Sequence, residues 1–215
     1  TIATPPASVD ISLIHPVTKE TIPGLSQSAP YSSSLSYSFS NVPDGTYVVR
    51  ASFANDYIVI DPDYITKFGD YAVTVSSGTA TPASVEIVAT SAVILKAPSN
   101  AMSTTEPVEA TTTPTFQWNA YASASDYVIE VTDASTGTVI WGGFTNNGGT
   151  ITKNIVIPSN TTSIAFNADG SATAELVAGK VYRWRVYASK NNAQNTPPWN
   201  LIAASEDQLG LIKIK

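Results

Sequence analysis

The sequence lacks cysteine and has a single histidine among its 215 residues. Without cysteine there can be no disulfide-stapled scaffold and no thiolate metal site. Catalysis by a Ser–His or Cys–His pair needs an imidazole base. The only candidate, His15, stands directly before Pro16 at the end of a predicted strand, where it reads as a turn residue. Charge is also scarce: 13% of residues are Asp, Glu, Lys or Arg, with a net charge of −6 and a pI of about 4.6. That balance lacks the basic footprint phosphates require, so nucleic acid is excluded as a partner. No run of 18 apolar residues occurs, so a helical membrane span is not expected. Nor is there a Walker loop or a dinucleotide-binding fingerprint. The chain opens at Thr1 on the polar stretch TIATPPAS, as expected of a processed, exported protein.

What is present is alternation. Ser and Thr make up about a quarter of the chain, which suits solvated strand faces and disfavours long helices. The clearest stretch is LVAGKVYRWRVYA, 176–188. There Tyr182, Trp184, Val186 and Ala188 share one face, while Val181, Arg183, Arg185 and Tyr187 share the other. A two-residue period with aromatic and β-branched side chains predicts a strand with one buried face. Similar short segments in the first half are 8–14, 34–39, 46–53, 57–60, 71–75 and 84–89. The second half offers 115–120, 126–133, 138–144, 151–157, 163–168 and 209–215. With turn signals between them and no helical period, they predict an all-β protein.

The phrase FSNVPDGTYVVRASF, carrying Phe39, Asn41, Val42, Pro43, Gly45, Tyr47, Val49 and Ala51, resembles the carboxypeptidase regulatory-like (transthyretin-like) modules. Pro43 would fix the turn, Gly45 would take a conformation few other residues tolerate, and Tyr47 would re-enter the core. In the second half, Pro114, Phe116, Trp118, Tyr127, Ile129, Val131, Asp133, Leu176, Gly179, Tyr182, Trp184, Val186 and Ala188 resemble the fibronectin type III and Ig-like modules of bacterial surface proteins. Tyr182 falls where such modules place a tyrosine whose hydroxyl bonds to nearby backbone. Segment 142–175 is longer and richer in Gly and Asn than a compact module needs. Together the resemblances imply two tandem antiparallel β-sandwiches, prealbumin-like over 1–91 and Ig-like over 92–215. The short apolar junction at 89–93 would make them a semi-rigid rod.

Candidate functional residues fall into three groups. Asp56, Asp61, Asp63 and Asp70 form an acidic cluster that could supply oxygen ligands to calcium, although their spacing matches no EF-hand loop. Asp also occupies turns for purely local reasons; no other cofactor is expected. Trp199, in the loop NTPPWNL, and Trp141 are candidate platforms for stacking on a sugar or filling a partner's pocket. In the implied fold, Glu130, Arg183, Arg185, Lys213 and Lys215 face outward from neighbouring strands of one sheet. They would form either a cross-strand charge ladder or a docking surface for an acidic partner.

The reading that follows is a non-catalytic extracellular structural or adhesive protein at a cell surface. Its partners would be other surface proteins or copies of itself, in a larger assembly or filament. Anchoring would need a segment outside these residues. The alternative is a carbohydrate-binding module with polysaccharide as its ligand.

Overall fold

A computed structural model describes residues 8–18, 20–30, 36–53, 58–60, 71–85, 87, 89–100, 106–206 and 209–215, and all regular structure among them is β. In the first half the strands are β1 (Ser8–Ile14), β2 (Thr21–Pro30), β3 (Gly45–Phe53), β4 (Ile58–Ile60), β5 (Tyr71–Ser76), β6 (Thr79–Thr81) and β7 (Ala89–Ser91). Then come β8 (Leu95–Ala97), β9 (Val108–Ala110), β10 (Thr115–Trp118), β11 (Asp126–Asp133), β12 (Val139–Gly142) and β13 (Phe144–Asn147). The last are β14 (Thr150–Lys153), β15 (Ile157–Pro158), β16 (Ser163–Ala165), β17 (Val181–Asn191), β18 (Trp199–Ala204) and β19 (Leu211–Ile214).

Pairing among the described strands divides near residue 92. Before it, one sheet runs β2-β1-β3-β5-β6 and a separate pair joins β4 to β7. After it, a small sheet runs β16-β10-β8 and a large one runs β12-β11-β17-β19-β9, with β15 also beside β11 and β18 also beside β17. Strands β13 and β14 form an isolated hairpin. Every pairing is antiparallel except β9 with β19. The two sets are tied across the junction. Arg50 on β3 pairs with Glu206 at 3.0 Å, and the Val93 N–H donates to the Ala204 carbonyl at 2.9 Å.

The large and small sheets face each other over the main core, in a sandwich-like arrangement. Strands β11 and β17 pair from Asp126↔Ser189 to Asp133↔Tyr182. Their alternation therefore sends Tyr127, Ile129 and Val131 to the same side as Tyr182, Trp184, Val186 and Ala188. Phe116 and Trp118 of β10 close that core from the other sheet. The Phe116 ring centroid lies 4.7 Å from that of Trp184, and the Trp184 Nε1–H donates to the Pro98 carbonyl at 2.8 Å. A buried indole thus keeps both its apolar contacts and its one polar bond. In the first half, Val9, Ile11, Leu13, Tyr47, Ala51 and Val75 build the smaller cores.

Tyrosine hydroxyls fasten several turns to this core. Tyr182 accepts the Val177 N–H at 3.0 Å, as its position in the sequence suggests, and Tyr127 accepts the Tyr121 N–H at 2.7 Å. Tyr47 donates to the Pro43 carbonyl at 2.8 Å. Tyr182→Phe should therefore cost about 1 kcal/mol by orphaning a part-buried N–H. Urea denaturation would show it, and an unchanged midpoint would mean that water replaces the hydroxyl.

Several expectations need correction. Gly45 is not in the left-handed region; Asn41 is, with φ 55. An added Cβ at position 45 would stand 3.1 Å from the Tyr47 hydroxyl oxygen, a tight contact from which the tyrosine would have to move by a few tenths of an ångström. The described part of 34–39 forms no strand, yet Tyr37 and Phe39 still pack on the first-half cores. Alternate side chains can enter a core from a segment that pairs with no strand, and Gln27 of β2 instead donates a hydrogen bond to the Ser38 carbonyl. Among the described residues of 84–89, only Ala89 lies in a strand, β7. Strands also arise outside the expected segments: the short β6, β8 and β9, and two longer ones, β2, in a stretch rich in Pro and Ser, and β18, which begins at Trp199. Proline is tolerated at an edge or at the start of a strand, so neither Pro23 nor Pro198 prevents pairing.

Candidate functional site

The register of the large sheet sorts its outward residues into two zones. Asp126, Val128, Glu130 and Thr132 of β11 stand opposite Ser189, Tyr187, Arg185 and Arg183 of β17. The zone around Asp126, Val128, Tyr187 and Ser189 is covered by the β13–β14 hairpin. There Val128, Ile151, Tyr187, Trp199, Leu201 and Ala204 form a second buried cluster, with Phe144 packed against it. This is the role of the long Gly- and Asn-rich segment: it returns across the sheet and roofs half of its outer face.

A charged clasp holds the roof down. Lys153 on β14 points its ammonium at Asp126, with Nζ 2.7 Å from Oδ1 and 2.9 Å from Oδ2. The same Nζ lies 2.6 Å from the Ser189 hydroxyl, which also donates to Asp126 Oδ1 at 2.6 Å. The ammonium sits 4.6 Å from the centre of the Trp199 ring, a cation–π contact. Only 6% of the Lys153 side chain and 12% of the Asp126 side chain are exposed. A charge pair so poorly hydrated persists because every partner is in place. The site therefore holds the hairpin's position. Neither Lys153 nor Asp126 stands out in the sequence; the one sign of them was the unexplained length of 142–175.

The aromatic candidates are core residues. Trp141 is 1% exposed and its indole N–H donates to Asp169 Oδ1 at 2.8 Å. Trp199 is 8% exposed, stacked on Phe144 with centroids 5.9 Å apart. The expected exposed sugar platforms are thus spent on packing. The sequence misled because the prolines before Trp199 read as loop, while the hairpin that covers the ring lies more than forty residues earlier.

The second zone carries the basic residues. Arg183 and Arg185 lie on the expected side but are half-buried, not openly exposed. The Arg185 guanidinium rests over the Tyr187 ring at 5.1 Å and donates to the Ser205 carbonyl at 3.1 Å. The first half of the chain reaches the large sheet on either side of this pair. Gly137, just past β11, lies so close to Val17 that an added Cβ would be 2.9 Å from its carbonyl oxygen, and Arg50 meets Glu206 next to Ser205. Lys213 is exposed opposite Glu109 on β9, and Lys215 pairs with Glu109 at 2.7 Å. That contact holds the Glu109 carboxyl below its ordinary range through the Lys215 hydrogen bond and charge. The register sets Glu130 beside Arg185 and Glu109 beside Lys213.

Other polar candidates are used locally. The His15 Nδ1 accepts the N–H groups of Val17 and Thr18, each at 3.2 Å. Asp56, Asp61, Asp63 and Asp70 lie outside the described residues, and no group of His, Cys, Asp or Glu able to hold a metal occurs among the described ones. Asp133 caps the turn after β11: its Oδ1 accepts from the Ser135 hydroxyl and N–H and from the Thr136 N–H. Ser135 foremost lowers its pKa, against a smaller opposing effect of burial. A carboxylate whose folded value lies below its unfolded one stabilises fully above the ordinary range and loses that contribution as pH falls through the folded value. Asp133→Asn should accordingly flatten the acid limb of the stability curve below about pH 4. Denaturant midpoints at acidic and neutral pH test this; equal losses at both would refute it.

Neither protein-family models nor curated proteins give a match to this chain when searched.

Proposed function

We propose that the chain is a non-catalytic structural or adhesive protein of a cell surface, working through contacts with other surface proteins or with copies of itself. On this reading residues 1–91 are a carboxypeptidase regulatory-like module and residues 92–215 a fibronectin type III or Ig-like module, exported and held outside the cell. One observation carries the proposal: among the described residues, the aromatic, histidine and arginine candidates are engaged in holding β-layers and turns together. Trp141 is bonded to Asp169, Trp199 lies beneath Lys153, and His15 ties its own turn. Arg50 joins the two sets of strands through Glu206. Such ties suit a part that transmits force or presents a surface.

Light scattering and negative-stain electron microscopy, on protein from its source and on recombinant protein, test the assembly side of this reading. Ordered oligomers or filaments are expected. A monomer at every concentration, with no surface protein retained in crosslinking on intact cells, would remove it. Turnover of ester, peptide or glycoside substrates would remove the non-catalytic part.

A further inference from the structure

The hairpin that roofs the large sheet ends in a turn with distinctive chemistry. Its loop is Gly148-Gly149, with φ of 61 and 94, and Asn147 pairs with Thr150 to close it. Two-residue hairpin loops of this kind require left-handed residues, which explains the glycine pair. The two asparagines before it differ. Asn146 is tied down, its Oδ1 accepting the Gly149 N–H at 2.9 Å. Asn147 is exposed and its carboxamide has no partner among the described residues. It is also the only asparagine in the chain followed by glycine.

We infer that Asn147 is a site of spontaneous deamidation, with a consequence for the hairpin. The Gly148 backbone nitrogen gives up its proton to hydroxide and attacks the Asn147 side-chain carbonyl carbon. The carbon–Nδ2 bond breaks, ammonia leaves, and a five-membered succinimide forms. Water then opens the ring at either carbonyl, giving aspartate or isoaspartate. No oxidant or other reactant is needed. Glycine permits the attack because no side chain shields its nitrogen. Either product adds a negative charge, and isoaspartate also inserts a backbone carbon at the end of β13. That would disturb the register by which Phe144 and Lys153 stand opposite each other over Trp199. The inference rests on the hairpin alone and holds whatever the protein's partners are.

The test is to age the folded, full-length protein at mildly alkaline pH and follow it by peptide mass mapping. The Asn147 peptide should gain about one mass unit before any other asparagine-containing peptide and become a substrate for isoaspartate methylation. Aged protein should also unfold at lower denaturant than fresh protein, whereas Asn147→Gln should age without that loss. A first gain at another asparagine, no gain at Asn147, or a gain there only after unfolding would overturn the inference.

Discussion

Trp184→Ala should destabilise the protein by about 3–5 kcal/mol, as expected for removing a fully buried indole from a core that cannot collapse around the gap. The site is constrained on every side. Trp184 is completely buried at the middle of β17, its ring lies against Phe116 of the opposite sheet, and its N–H is bonded to Pro98. Loss of the ring leaves a cavity between two sheets whose separation other side chains fix, and it orphans the Pro98 carbonyl. Trp184→Phe should cost less, since it keeps most of the packing and loses mainly the N–H bond. Guanidinium unfolding measures both. A loss below about 1 kcal/mol for the alanine variant would mean that the facing sheets move together.

Breaking the clasp beneath the hairpin should have a comparable effect. Asp126→Ala leaves the Lys153 ammonium buried, with only Ser189 and the Trp199 ring for company. Removing one partner of a buried ion pair typically costs about 3–5 kcal/mol, whereas replacing both by apolar residues of similar volume is often near neutral. The double variant Asp126→Leu/Lys153→Met should therefore recover most of what Asp126→Ala loses. Hydrogen exchange should place the single variant's damage first in β13 and β14, with β11 and β17 protected. If Asp126→Ala is tolerated and exchange is uniform, the charge pair is hydrated and the hairpin is held by Phe144 and Ile151 alone.

Strands with an alternating apolar face were legible in the sequence. β1, β3, β11 and β17 lie where alternation put them, because a two-residue period leaves a single way to bury their apolar faces. Tyr182 was likewise readable from its position at the start of such a strand. β18 was not, because its evidence is spread over distant parts of the chain. Trp199 and Leu201 look like loop residues until the hairpin of 144–153 is laid over them.

The sequence by itself therefore determined the all-β class, the main core around Phe116, Tyr127 and Trp184, and the side of the large sheet that Glu130, Arg183, Arg185 and Lys213 would take. Only tertiary structure decided what happens on that outer side. Periodicity says that a face is not part of the first core; it does not say whether water or another segment covers it. Here the hairpin supplied the Lys153 clasp over Asp126 and buried Trp199, while contacts from the first half reached the sheet beside Arg183 and Arg185. Each of these contacts joins residues far apart in the chain, and such pairings are set by the packing of whole layers, which local patterns do not encode.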